Sequence, residues 1–130
     1  MTRVLVMLGI LSSLFGCSRQ SNPKAGMLCT VDDGEGFYRV AKVLVVDHRG
    51  VHIRLYKNRW KERPQTVDVT SLTVGSIHDT DGFGMGHLPL TKRAFAAWKP
   101  ISIGEQPVQK EELDGYEIWK DQSGSYFGDK

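Results

Sequence analysis

The chain has little of what most often declares an activity. Only two of its 130 residues are cysteine, Cys17 and Cys29, so it is neither a disulfide-stapled scaffold nor a Cys-rich zinc module. Charge of one sign is also lacking. Lys and Arg total 17 against 15 Asp and Glu, and a formal net charge of +2 is too small to imply nucleic acid as a partner. No apolar run reaches the roughly 20 residues that a membrane-spanning helix needs. There is no Gly-x-Ser-x-Gly elbow, no His-x-x-x-His on a helix, no Asp-x-Asp-x-Asp-Gly calcium loop and no internal repeat. With 40% hydrophobic and 25% charged residues, the composition is that of one modest globular domain.

What is present begins with an address. Arg3 supplies a positive start, and Val4 to Phe15 is an apolar run of 12 residues followed by polar Ser18-Arg19-Gln20-Ser21-Asn22-Pro23. The run is too short to span and reads as part of a cleaved export signal, a signal helix over residues 1–16. Its end, Leu14-Phe15-Gly16-Cys17, resembles the lipobox of bacterial lipoproteins. That resemblance implies a diacylglyceryl group on the Cys17 thiol, cleavage just before it and acylation of the new amine. The membrane is then a partner through covalent lipid, and two or more chains hold stably where one does so only marginally. In that family Asp after the Cys goes with inner-membrane retention. Ser18 stands there instead, which implies outer-membrane attachment facing the periplasm, or the cell surface in a host with a single membrane. Residues 17–25 read as the lipidated Cys and a short tether containing Pro23, and residues 26–130 as a single domain.

Removal of the signal leaves 114 residues, enough to bury roughly two thirds of the unfolded surface in one core. If Cys17 is lipidated, Cys29 is the remaining thiol; its flanks Met27-Leu28 and Thr30-Val31 read as a strand, which makes it a packed small hydrophobe. An unlipidated form leaves open a bridge between the two. Phe37 to Val46 and Val51 to Tyr56 are β-rich runs joined by the turn Asp47-His48-Arg49-Gly50. Val51, Ile53 and Leu55 alternate with His52, Arg54 and Tyr56, which places one set in a core and the other, His52 included, in solvent. Val67 and Val69 alternate in the same way and predict a further strand. The charged stretch from Lys57 to Pro64 reads as a loop.

The order Gly26, Cys29, Asp33-Gly34, Phe37-Tyr38-Arg39, a Val-rich strand and then Val51 to Tyr56 resembles the small SH3-like barrels, the Tudor type in particular. After Tyr56 the acidic-aromatic-Gly turn of that type is replaced by Lys57-Asn58-Arg59, so no methyl-lysine cage is implied. Two short helices are expected further on. Thr91 is an N-cap for a segment bearing Ala94, Phe95 and Trp98 before Pro100. Glu111-Glu112 open a second, with Leu113, Tyr116 and Trp119 or Ile118 on one face and Gly115 as a dissenting residue. Ser123 to Lys130 reads as a frayed tail from which Tyr126-Phe127 dock back. The fold class expected is mainly β (α+β), a small antiparallel SH3-like barrel or curled sheet with one or two short C-terminal helices.

Charge is segregated along the chain. Arg39 to Arg63 carries eight basic residues against Asp47 and Glu62, and Ile101 onward carries seven acids against Lys110, Lys120 and Lys130. One reading has these faces offset each other within the domain; the other has a basic surface aimed at an envelope protein or anionic wall polymer. For the second, Arg54, Tyr56, Arg59 and Trp60 are the binding residues, the aromatics adding flat contact area. His78, Asp79, Asp81 and His87 offer nitrogen and oxygen to a divalent metal but follow no known ligand spacing, so no metal or other cofactor is assigned. Gly82-Phe83-Gly84-Met85-Gly86-His87 reads as a glycine-rich connection rather than a phosphate loop. Without a catalytic constellation, the expectation is a lipid-anchored envelope protein with a non-catalytic binding or structural role. Two alternatives stand beside it. One is an inhibitor or immunity lipoprotein against a periplasmic toxin or wall hydrolase, since Ser123-Gly124-Ser125-Tyr126 is similar, one residue shorter, to the Ser-Gly-x-x-Tyr element of lipoprotein lysozyme inhibitors. The other is a small metal-dependent enzyme using His78, Asp79, Asp81 and His87.

Overall fold

A computed structural model describes residues 22–128; the export signal, Cys17 and most of the tether lie outside them. Among the described residues no helix is long and apolar enough to cross a membrane. The chain forms β1 (Met27–Asp32), β2 (Tyr38–Val46), β3 (Gly50–Leu55), a 3₁₀ turn at Val69–Ser71, and β4 (Met85–Thr91). Then follow α1 (Lys92–Ala97), β5 (Ile101–Glu105), a 3₁₀ turn at Lys110–Leu113 and α2 (Asp114–Asp121). The five strands make one antiparallel sheet in the order β4-β3-β2-β1-β5. The fold is mainly β, and of the two forms expected it is the open sheet, not the closed barrel.

The hairpin between β2 and β3 forms where turn chemistry favours it. Asp47 Oδ1 accepts from the backbone N–H of Arg49 (2.8 Å) and Gly50 (2.9 Å), closing an Asx-type turn. Alternation then sorts the side chains. Cys29, Val31, Ala41, Val43, Val51, Ile53 and Leu55 line one face, where Leu88, Leu90 and Phe95 complete the core. Phe95 comes from α1, whose N-cap Thr91 accepts from Ala94 N–H at 3.0 Å; burying that ring contributes roughly 1.5–3 kcal/mol. Cys29 is free and fully buried, and burial pushes its thiol up to about 12, so it is a packing residue.

The second face departs from the expectation of a solvated surface. His52 is fully buried and Lys42 nearly so, because the C-terminal segment from Lys110 to Phe127 lies across that side. Lys42 Nζ reaches Glu112 at 2.8 Å and the Pro107 carbonyl at 2.8 Å. Gly115 is there for close approach, since a Cβ on it would stand 2.6 Å from His87 Cβ. Tyr126 is buried, and Phe127 pairs in parallel with Leu90 along the β4 edge, so the expected frayed tail is docked through Phe127. Two other expectations fail, and one strand was not foreseen. Val67 and Val69 form no strand, because Asp68 caps the 3₁₀ turn by accepting from Thr70 N–H. Residues 85–87, read as a connection, belong to β4, and Ile101–Glu105 is a strand that pairs with β1.

Candidate functional site

The charged loop after β3 is built rather than loose. Tyr38 N–H donates to the Trp60 carbonyl (2.7 Å) and Trp60 N–H to the Tyr38 carbonyl (2.9 Å), which pins the loop to the start of β2. Asn58 ties it to the next loop by donating to the Ser71 carbonyl and accepting from Thr73 N–H. Arg63 donates to both oxygens of Thr30 at 2.7 and 3.0 Å and lies over the Tyr38 ring. Arg59 and Lys61, two residues apart, both lie over the Phe37 ring, at 4.2 and 4.8 Å from its centre. The result is an edge on which cations and aromatic faces alternate on fixed backbone.

Beside this edge is a cleft centred on Arg39. Its guanidinium donates from Nε and Nη2 to the Tyr56 carbonyl and from Nη2 to the Phe83 carbonyl. Two adjoining hollows of about 190 and 230 Å³ share Asp33, Glu35 and Arg39 as walls. Lys57, Arg59 and Phe83 close the first, and Val31, Leu55 and Trp98 give the second an apolar floor. Burial lowers the Arg39 pKa, and the nearby Asp33 charge works the other way. Asp33 Oδ1 is occupied by the N–H groups of Glu35 and Phe37, while Oδ2 stands 3.8 Å from Arg59 Nε.

The four binding residues expected from the sequence divide between two places. Arg59 and Trp60 belong to the pinned edge. Arg54 and Tyr56 lie on the second face of the sheet, where Arg54 Nε is 3.8 Å from Glu112 and burial, then the Glu112 charge, raises the Tyr56 hydroxyl. Much of the charge segregation is settled internally, since Lys42 and Arg54 face Glu112, and Lys57 bridges Asp79 (2.9 Å) and Asp81 (2.8 Å). The four residues considered for a metal are not brought together. Asp79 and Asp81 are held below the usual carboxylate range by their hydrogen bonds to Lys57, His78 is exposed, and His87 sits against His52. Among the described residues no group of three or more His, Cys, Asp or Glu side chains is placed to hold a metal ion.

A second constellation went unseen in the sequence. On the covered face His52 Nδ1 is 2.8 Å from His87 Nε2, His52 Nε2 is 2.9 Å from Tyr126 Oη, and Tyr126 donates to Asp47 Oδ2 at 2.5 Å. The donors can be ordered. The Tyr126 hydroxyl spends its proton on Asp47, so His52 Nε2–H must donate to Tyr126, and His87 Nε2–H to His52 Nδ1. Tyr116, Trp119 and Tyr126 meet His52 edge-on, with ring centres 4.5 to 5.1 Å away. Burial, then His87, depresses His52 to about 4, and burial also lowers His87. For Asp47, burial raises the pKa, but bonds from Tyr126 and the turn N–H groups leave it lowered overall. These are the features of a fully satisfied buried polar network. No local signal marks it, because its members come from residues 47, 52, 87 and 126.

Comparison with known proteins brings no match to a family model, to a curated protein or to a solved structure. The arrangement itself therefore carries the functional reading.

Proposed function

We propose that the chain is a lipid-anchored envelope protein, attached through Cys17, whose β domain binds a protein or wall component without chemistry of its own. The observation that carries this reading is the edge formed by Phe37, Tyr38, Arg59, Trp60, Lys61 and Arg63, held by main-chain bonds beside the Arg39 cleft. A surface fixed in advance loses little entropy when a partner settles on it. Stacked cations keep their charge while the rings supply contact area, a combination suited to an anionic wall polymer or an acidic protein face. Attachment to the outer membrane facing the periplasm, or to the surface of a host with one membrane, would set this edge within reach of the wall. The inhibitor reading gains nothing from Tyr126, whose ring is buried and whose hydroxyl is committed to Asp47.

The test is co-sedimentation of the detergent-solubilised full protein with purified cell-wall sacculi carrying their anionic polymers. The double variant Arg59→Ala/Trp60→Ala is expected to lower the bound fraction about tenfold, as loss of two contacts worth roughly 0.7 kcal/mol each would do. Lys120→Ala, on the far helix, leaves it unchanged. Equal sedimentation of all three proteins would remove the edge as the binding surface.

A further inference from the structure

Outside the edge and its cleft, a largely apolar groove of about 390 Å³ is lined by Asn22, Pro23, Val46, Lys92, Phe95, Ala96 and Pro100. Two observations say what faces it. The first is chain length: Asn22 lies five residues after Cys17, a span of at most about 17 Å even when fully extended. A groove whose wall includes Asn22 and Pro23 is therefore kept close to whatever Cys17 is fixed in. The second is charge. The stretch Lys92-Arg93-Ala94-Phe95-Ala96-Ala97-Trp98-Lys99 contains three cations and no acid, and Lys92, Arg93, Ala96, Ala97 and Lys99 are all exposed. Lys24, within the tether, is paired with Glu105 at 2.7 Å, whereas no ion pair engages Lys92, Arg93 or Lys99 among the described residues.

Resting on the lipid-anchor reading, we propose that this face, the groove between Pro23 and α1 with Lys92, Arg93 and Lys99 around it, docks on the anionic phospholipid surface in which Cys17 is anchored. Lys92, Arg93 and Lys99 meet lipid phosphates, and the apolar groove rests at the headgroup boundary. The lipid chains hold the protein in the membrane; this face sets which way the domain turns. With α1 against the bilayer, the domain is held in a fixed orientation rather than swinging on its tether.

The experiment uses the mature lipidated protein reconstituted in vesicles, with a nitroxide on an introduced cysteine. Cys29 needs no replacement, because it is fully buried with its thiol pushed up to about 12. Labels at Ala96→Cys and, as a control, Ile77→Cys, which is 72% exposed, are compared by collision with membrane-soluble oxygen and with a water-soluble nickel chelate. In phosphatidylglycerol vesicles the oxygen-to-nickel ratio at position 96 is expected to exceed that at 77 several-fold. Adding Lys92→Glu, Arg93→Glu and Lys99→Glu should bring it down to the control value while the protein still floats with the vesicles. Equal ratios at the two positions in a protein that floats would overturn the docking. So would a high ratio at 96 that persists in phosphatidylcholine vesicles and through charge reversal, since the groove would then hold the protein's own acyl chain. A protein that does not float, with a mass lacking the diacylglyceryl group, would instead bring down the anchor reading and this inference with it.

Discussion

His52 shows how much a single residue's surroundings decide. By alternation it belongs to the polar set of β3, yet it is fully buried and kept neutral by burial and by His87 beside it. Unfolded, it takes up a proton near its ordinary 6.5; folded, it does so only near 4. The unfolded chain therefore binds more protons between those values, and the stability gained by keeping His52 neutral is complete above pH 6.5 and is lost as pH falls to 4. The loss amounts to roughly 3 kcal/mol if the whole shift is realised. Urea unfolding at pH 7.5 and at pH 4.5 measures it. The wild type should lose more stability on acidification than His52→Gln, in which only His87 and the carboxylates still respond. Parallel losses in the two proteins would show that His52 is not the group that acid must charge.

At the scale of elements, α2 is set by what it must fit against. Glycine in a helix normally costs about 1 kcal/mol relative to alanine, so Gly115→Ala would be expected to help. Here the added methyl would meet His87 Cβ at 2.6 Å, an atom fixed close to the β4 backbone that cannot swing aside. Gly115→Ala should therefore destabilise, by roughly 1–3 kcal/mol as overpacking does. A fall in the urea midpoint with unchanged slope is the expected result, and a rise would place α2 farther from β4. The same element shows what could be read in advance. The 47–50 turn, the strand β3, the Thr91 cap and the helix after Glu111-Glu112 all carry local signals, and each appears where expected. β4 and β5 did not declare themselves, because Pro89 and the glycines of 82–86 and Gly104 read locally as loop. Pro89 is tolerated because β4 is an edge strand, where its carbonyl accepts from Phe127 N–H. Of the candidate site, Arg59 and Trp60 were legible as a charged aromatic loop. Their union with Phe37 and Tyr38 was not, since it depends on a bridge spanning 22 positions of sequence, Tyr38 to Trp60.

For the whole molecule, the open sheet has two faces that are covered by different means. One carries the apolar core under Phe95; the other carries Lys42, His52 and Arg54, and the segment from Lys110 to Phe127 covers it so that Lys42 and His52 are buried and Arg54 half-buried. Removing residues 110–130 would release Lys42 and His52 to water, which relieves their burial. It would also forfeit the packing of buried Tyr126, roughly 1.5–3 kcal/mol, and of half-buried Tyr116 and Trp119, each a part of that amount. Against a total stability of about 5–15 kcal/mol for a domain, that loss leaves the remainder marginal. Cys29 reports the outcome well, since it lies in the apolar core on the opposite face, with its thiol donating to the Ala41 carbonyl. In the full-length protein its thiol should react with an aromatic disulfide only when urea unfolds the chain. In the chain ending at Gln109 it should react without urea at a rate approaching that of the denatured protein. If Cys29 stays protected, the apolar face alone sustains the fold, and the C-terminal segment is a cover that can leave without unfolding it.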